Sequence, residues 1–262
     1  MALCLLFAAA NGQALNTDGG YTPQSGQAGK DVIWMPTVHE LVATMLDLAK
    51  VTSSDYVIDL GSGDGRTVIA AAKRGATALG VEYNPDMVEF AKRAATAEGV
   101  GAKAKFEQAD IFEYDFSKAS VLTLFLLPDI NLRLRPKILD MKPGTRIVSN
   151  TFDMGDWETD QTIRLSANSS SYITAHLWIV PAKVQGIWKI DDGQINFTQK
   201  FQKITGTLTL KDQKLPLEGK LDGNSLSFTA GGMEYTGTVH GDTISGTRAD
   251  GRSWSGSRVK KR

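Results

Sequence analysis

The chain has 262 residues, 42% hydrophobic and 22% charged, with 26 Gly and 8 Pro; this is the make-up of a folded chain and excludes wholesale disorder, collagen and coiled coil. Its 29 Lys and Arg balance its 29 Asp and Glu, so no overall field draws it to nucleic acid. One Cys and three separated His exclude a disulfide scaffold and a thiolate metal cluster, and no metal site is expected.

Residues 2–10 form an apolar run, followed by Gly12 and Ala14, small residues that suit cleavage after Ala14. No basic residue precedes Lys30, so the signal is incomplete. Export from the cytoplasm is the expectation, with the cytoplasm as the alternative, and the run is too short to span a bilayer. Residues 1–29 are read as signal and flexible leader, 30–181 as a first domain and 182–262 as a second.

In the first domain, Val38, Leu41, Val42, Met45, Leu46 and Leu48 recur at helical spacing over residues 37–50, with Pro36 just before them and Thr37 as the cap. Asp55–Leu60 reads as a buried strand, Gly61–Gly65 as a glycine loop and Thr67–Arg74 as a helix. Ala78–Val81 is a second strand closed by Glu82, and Met87–Glu98 a helix announced by Asn84-Pro85-Asp86. Strands follow at Lys105–Ala109, Val121–Leu127 and Thr145–Ser149, with a helix at Arg133–Met141, and two more strands lie near 161–165 and 173–180. This alternation predicts a Rossmann-like, mostly parallel seven-stranded sheet with helices on both faces, whose ligand binds beyond the carboxyl ends of the strands.

The loop Gly61-Ser62-Gly63-Asp64-Gly65 lets backbone approach a ligand where Cβ atoms would obstruct it, and the helix behind it favours a negative group. Glu82 stands at the tip of the next strand, where a carboxylate can accept both hydroxyls of a ribose. Asp110, at the tip of the third, is placed to meet an adenine amino group.

With those residues in view, Val57–Thr67, Gly80–Pro85 and Asp110–Phe112 together resemble the class I S-adenosylmethionine-dependent methyltransferases. The spacing is GxGxG followed by Arg66, not the GxGxxG of nicotinamide enzymes. The resemblance implies S-adenosyl-L-methionine as cofactor. Asp59 and the Gly61, Gly63 and Gly65 backbone would hold its methionine part, Glu82 the ribose, and Asp110 with Ile111 the adenine. Trp34, Pro36, Thr37, Ser62, Tyr83 and Leu127 complete the expected contacts, with Trp34-Met35 as a lid. A closer resemblance is to the lysine methyltransferases around the mitochondrial enzyme that acts on the ATP-synthase c-ring protein, and more distantly to the Dot1 group. It rests on Trp34–Thr37, Phe125–Pro128, Leu134–Ile138, Pro143–Arg146 and Ser149–Phe152.

The resemblance makes a protein lysine the leading acceptor, while a small-molecule thiol, amine or metalloid, or a non-catalytic cofactor-binding or interaction module, stays open. On the acceptor side, Asp129 and Asn131 follow the fourth strand, and Asn150, Phe152, Asp153, Asp156 and Trp157 follow the fifth. Asp129, Asn131 and Asp153 are expected to orient the acceptor; Asp153, Asp156 and Trp157 are read as an acidic, aromatic mouth. His39 and His176 are read as ordinary polar packing.

Residues 1–181 carry net −5 and residues 182–262 net +5. In this tail, strand-length alternation with turns at Asp192-Gly193, Asp222-Gly223 and Gly241-Asp242 predicts about eight antiparallel strands in a closed or nearly closed meander. Residues 218–227 and 236–245 share a pattern at an 18-residue offset. A binding or dimerisation role, or an apolar ligand inside the barrel, is open for this domain, as is the oligomeric state.

Overall fold

The computed structural model describes residues 21–166, 171–211 and 213–260. The expected signal segment and first part of the leader lie outside them. Among the described residues, no helix is long and apolar enough to cross a membrane, and no group of three or more His, Cys, Asp or Glu could hold a metal ion.

The first part is a seven-stranded sheet. In chain order its elements are α1 (His39–Leu48), β1 (Tyr56–Leu60), α2 (Arg66–Lys73), β2 (Thr77–Glu82), α3 (Pro85–Ala97), β3 (Ala104–Gln108), β4 (Val121–Leu124), α4 (Pro128–Leu139), β5 (Arg146–Asn150), β6 (Gln161–Arg164) and β7 (Thr174–Ile179). The spatial order is β3-β2-β1-β4-β5-β7-β6. The strands β1 to β5 pair in parallel, and β7 inserts antiparallel between β5 and β6. The central strands are buried on both faces, which is why β4 is a continuous apolar run broken only by Thr123. On one face α1, α2 and α3 pack through Leu41, Leu46, Val68 and Ala91; on the other, α4 packs through Ile130, Leu134 and Ile138.

Local signals explain where the helices start. Asn84 caps α3 by accepting from the Asp86 (2.9 Å) and Met87 (3.4 Å) N–H groups, and Pro85 takes the first helical position. Pro128 does the same for α4, so this helix begins five residues before the expected Arg133 and takes in Asp129 and Asn131, which the sequence reading placed in a loop. The cap of α1 also differs from expectation: Val38 is the N-cap residue, without a side-chain cap bond. Thr37 Oγ1 instead accepts from Asn150 Nδ2 (3.1 Å), tying α1 to the end of β5.

The remainder is a closed eight-stranded barrel of β8 (Gly186–Ile190), β9 (Gly193–Lys200), β10 (Lys203–Leu210), β11 (Gln213–Asp222), β12 (Ser225–Ala230), β13 (Met233–His240), β14 (Thr243–Arg248) and β15 (Ser253–Arg258). Every neighbouring pair is antiparallel, and β15 closes on β8, so the barrel leaves no strand edge unpaired among the described residues. Its interior is filled by its own side chains, Trp188, Ile195, Phe197, Leu208, Leu226 and Phe228 among them. The centre of this barrel is therefore a packed core and not the apolar ligand site that the sequence left open.

Candidate active site

A cavity opens at the carboxyl ends of β1, β2 and β4. The glycine loop follows β1, and all three of its glycines have positive φ. A Cβ on Gly65 would stand 2.7 Å from the Phe106 ring and 2.8 Å from Ala91, and one on Gly63 would overlap the Trp34 indole. The loop is thus a cradle for which side chains leave no room.

Three carboxylates surround this bend. Glu82 accepts from Gly63 N–H (3.0 Å) and Asn84 N–H (2.9 Å), so it both shapes the loop and faces the cavity from the tip of β2. Asp64 is held by the Arg66 guanidinium (3.0 Å), which also donates to the Thr37 carbonyl (2.8 Å). Asp59 is buried at the end of β1, where Thr123 Oγ1 donates to it (2.6 Å). Burial pushes its carboxyl up to about 7; the Thr123 hydrogen bond opposes this, while Asp64 and Glu82 push further upward. A cation bound beside Asp59 would reverse that shift. Ser62 Oγ is buried without a hydrogen-bond partner, a donor and acceptor aimed at nothing in the protein.

The N-terminal strap forms the opposite wall. Within it Gly26 N–H donates to Trp34 O (2.8 Å), Trp34 N–H to Gln27 O (2.9 Å), and Ala28 bridges Ile33. Residues 27–37 all line the cavity, so the later part of the expected leader is folded structure over the site. Lys30 reaches across to pair with Asp110 Oδ2 and lies over the Tyr83 ring (4.7 Å). The Lys30 contact, together with the Phe112 N–H (2.9 Å), holds the Asp110 carboxyl below its ordinary range.

On the far side, Phe125, Phe152 and Tyr172 form one aromatic wall. Their centroids are 6.1 Å (Phe125–Phe152), 5.3 Å (Phe125–Tyr172) and 6.0 Å (Phe152–Tyr172) apart. Phe152 is aimed by Thr151, a β-branched residue at φ 63°. That turn is pinned by Thr151 N–H to Thr174 O (2.7 Å), by a contact between His176 Nε2 and Thr151 O (3.2 Å), and by Asn131 Nδ2 to Phe152 O (3.4 Å) and Asp153 O (3.1 Å).

Of the residues expected to bind cofactor, Trp34, Pro36, Thr37, Asp59, Gly61, Ser62, Glu82, Tyr83, Asp110, Ile111 and Leu127 all line this cavity, with Gly63 and Gly65 shaping the loop beneath it. The acceptor side differs more. Phe152 lines the cavity, whereas Asp129, Asn131, Asn150, Asp153, Asp156 and Trp157 do not. Asn131 and Asn150 are fully buried tethers, because their amides are spent on the loop backbone, on Thr37 and on Thr151. Asp129 is exposed on the first turn of α4, and Asp153 is exposed and accepts from Gly155 N–H (2.9 Å). There is no acidic, aromatic mouth at 153–157: Trp157 is 1% exposed in the core, and Asp156 turns outward to Arg135 (2.7 Å) and Lys200 (3.2 Å). Sequence reading missed Lys30, Arg66 and Tyr172, which approach from distant parts of the chain, and Phe125, noted as part of a motif but given no place at the site.

Cavity and cradle suit S-adenosylmethionine. The glycine bend admits its backbone-like end, the acidic surroundings match a cation, and Glu82 is placed for a diol. The sheet order, this loop and the strand-tip carboxylates define a class I S-adenosylmethionine-dependent methyltransferase. Comparisons with known proteins agree. The ANTKMT methyltransferase domain family matches residues 59–161. A protein-lysine N-methyltransferase of Saccharolobus islandicus is 38% identical over 152 residues, covering 57% of this chain and 94% of that protein. The human adenine-free counterpart in this comparison, a lysine N-methyltransferase named for the c-type subunit of ATP synthase, is 39% identical over 105 residues, 40% of this chain and 45% of that protein, so the chain spans less than half of this relative. The crystal structure of an RNA methyltransferase from Salinibacter ruber in complex with S-adenosyl-L-homocysteine is 43% identical, covers 57% of this chain and 96% of that one, and superposes with a TM-score of 0.54. The chain belongs to the S-adenosylmethionine-dependent methyltransferase family that includes the archaeal lysine enzyme.

Proposed function

We propose that this enzyme methylates a lysine side chain of a protein. The observation that carries the reading is the wall of Phe125, Phe152 and Tyr172, an apolar and π-rich surface with no cation among the described residues free to bind phosphate. The two basic residues that line the cavity, Lys30 and Arg66, are both committed to carboxylates. A lysine presents four methylenes and an amine, which such a wall accommodates. The match to nearly the whole archaeal lysine methyltransferase supports the same reading.

When bound, S-adenosylmethionine supplies a methyl group on a sulfonium. The glycine loop, Asp59 and Glu82 hold the donor still, while the aromatic wall aligns the amine, and alignment contributes most of the rate in an in-line displacement. The amine must arrive neutral, since an unperturbed Lys titrates near 10.4. Apolar surroundings lower that value, so the wall favours release of the proton to water at the rim before attack. The amine lone pair then takes the methyl carbon as the carbon–sulfur bond breaks, and the second proton leaves to solvent.

An RNA acceptor is the second reading, favoured by the description of the Salinibacter relative. Transfer of labelled methyl to cell extract, resolved into protein, RNA and small-molecule fractions, decides among them. Label in acid-stable methyl-lysine is the expected result; label confined to RNA or small molecules overturns the reading. Export is proposed from residues 1–14 alone, and a reporter active only outside the cytoplasm, fused to residues 1–30, tests it: an inactive fusion sinks it.

A further inference from the structure

Phe201 is in an unusual place for a phenyl ring. It is the first of the two residues that join β9 to β10, and it has φ 54°, a region where Gly or Asn is ordinary and a bulky residue is rare. Its ring leaves the barrel and lies on Trp157 of the sheet domain, with centroids 5.8 Å apart and planes at 19°. The Arg135 guanidinium of α4 sits 5.3 Å from the same ring. The next residue, Gln202, is buried and donates to the Glu158 carbonyl (2.7 Å). On either side, Lys200 pairs with Asp156 (3.2 Å) and Lys203 with Glu158 (2.7 Å).

These contacts converge on α4 and on one segment, residues 152–158. Its first residue is Phe152 of the aromatic wall. From the other side α4 clamps the same segment: Asn131 holds the Phe152 and Asp153 carbonyls, and Arg135 donates to Met154 O (2.6 Å) and to Asp156 (2.7 Å). The glycine loop and Glu82, which face the cofactor, take no contact from this turn. Exposed ion pairs contribute little, so the stacked ring and the buried amide dominate the contact.

We propose that the β9–β10 turn braces the acceptor side of the active site: Phe201 and Gln202 hold residues 152–158 so that Phe152 faces the cavity, and thereby set the affinity for the acceptor. Phe201 is a positioning residue in this scheme. The inference rests on the reading of the aromatic wall as the acceptor surface. It gives the barrel a part in catalysis without a ligand of its own, and it accounts for the opposite net charges of the two halves meeting across this seam.

The test uses the full chain as wild type, Phe201→Ala, Phe201→Tyr and Gln202→Ala. In Phe201→Ala, hydrogen exchange over residues 152–158 rises at least about tenfold while residues 57–65 keep their protection. The dissociation constant for S-adenosylmethionine by calorimetry stays within about twofold. With poly-L-lysine as acceptor, KM rises about three- to tenfold and kcat changes less; Phe201→Tyr restores both. Gln202→Ala shows the same direction with a smaller effect and carries the test if Phe201→Ala does not fold. Unchanged exchange over 152–158, or cofactor affinity falling in step with acceptor affinity, overturns the brace. If the wild type methylates no lysine in polymer or extract, the acceptor reading fails, and exchange with cofactor affinity still decides the brace.

Discussion

The sheet and the barrel bury apolar surface in opposite ways, and the difference accounts for what each does. A parallel sheet covered on both faces sends all its strand tips to one end, where the chain must turn into helices. Loops, helix N-termini and polar side chains collect there by construction. Asp59, Glu82 and the glycine loop occupy that end, and the buried polar groups Asp59 and Ser62 sit there at an energetic cost that a ligand can relieve. The barrel closes antiparallel strands with tight turns and fills itself with apolar side chains, leaving no unsatisfied buried side chain among its described residues. Only its rim can act on anything else, and the Phe201 turn is the part of the rim that meets the active-site loop.

If this division holds, substitutions in the two halves fail by different measures. The largest effect belongs to the barrel core. Trp188 is fully buried and donates to Val184 O (2.7 Å), so Trp188→Ala should cost about 3–5 kcal/mol of stability in denaturant melts. The folded fraction should keep its cofactor affinity; a large loss of affinity would blur the comparison. Glu82→Ala should do the reverse. Removing its bonds to Gly63 N–H and Asn84 N–H, together with its reach to the diol, is expected to weaken cofactor binding about 100-fold in calorimetry. Its melting temperature should fall far less than that of the barrel variant.

A pH series sharpens the comparison further. The Asp59 carboxyl is raised to about 7 in the free protein, so it is protonated below that pH and charged above it. A cationic cofactor prefers the charged form. The dissociation constant should therefore rise as pH falls through about 7, by up to about tenfold per unit, and Asp59→Asn should flatten the profile. The sign for stability is opposite: a raised carboxyl favours the folded state at low pH, and that contribution is lost as pH rises through about 7. A cofactor affinity independent of pH between about 6 and 8 would show that Asp59 does not face the positive charge. The smallest effect is local. Asn84→Ala removes the α3 cap and should cost about 1 kcal/mol in a thermal melt, with cofactor affinity nearly kept.

Much of the sheet domain is legible along the chain because each element is written locally. β4 is a continuous apolar run, α3 starts at Asn84-Pro85-Asp86, and a strand–glycine–helix passage is compact enough to recognise. Glu82 and Asp110 are legible for the same reason, since each closes a strand. The acceptor side resists such reading. Phe125, Phe152 and Tyr172 come from three segments that neighbour one another only after β4, β5 and β7 pair. Trp157 in a loop of acids looks exposed on paper, and only the arrival of Phe201 from the barrel shows why it is buried. The strap is a similar case: residues 21–30 have the small, polar make-up of a leader, yet their backbone bonds to Trp34 and the Lys30–Asp110 pair fold them over the cavity.

By itself, then, the order of residues determined the kinds of elements, the glycine bend and the carboxylates at the strand ends, because hydrophobic period, caps and turn chemistry act within a few positions. Tertiary structure alone decided which loops share a wall, which asparagines became buried tethers and which barrel turn reaches the site. Those outcomes depend on contacts between segments far apart in the chain, and no local rule of spacing encodes them.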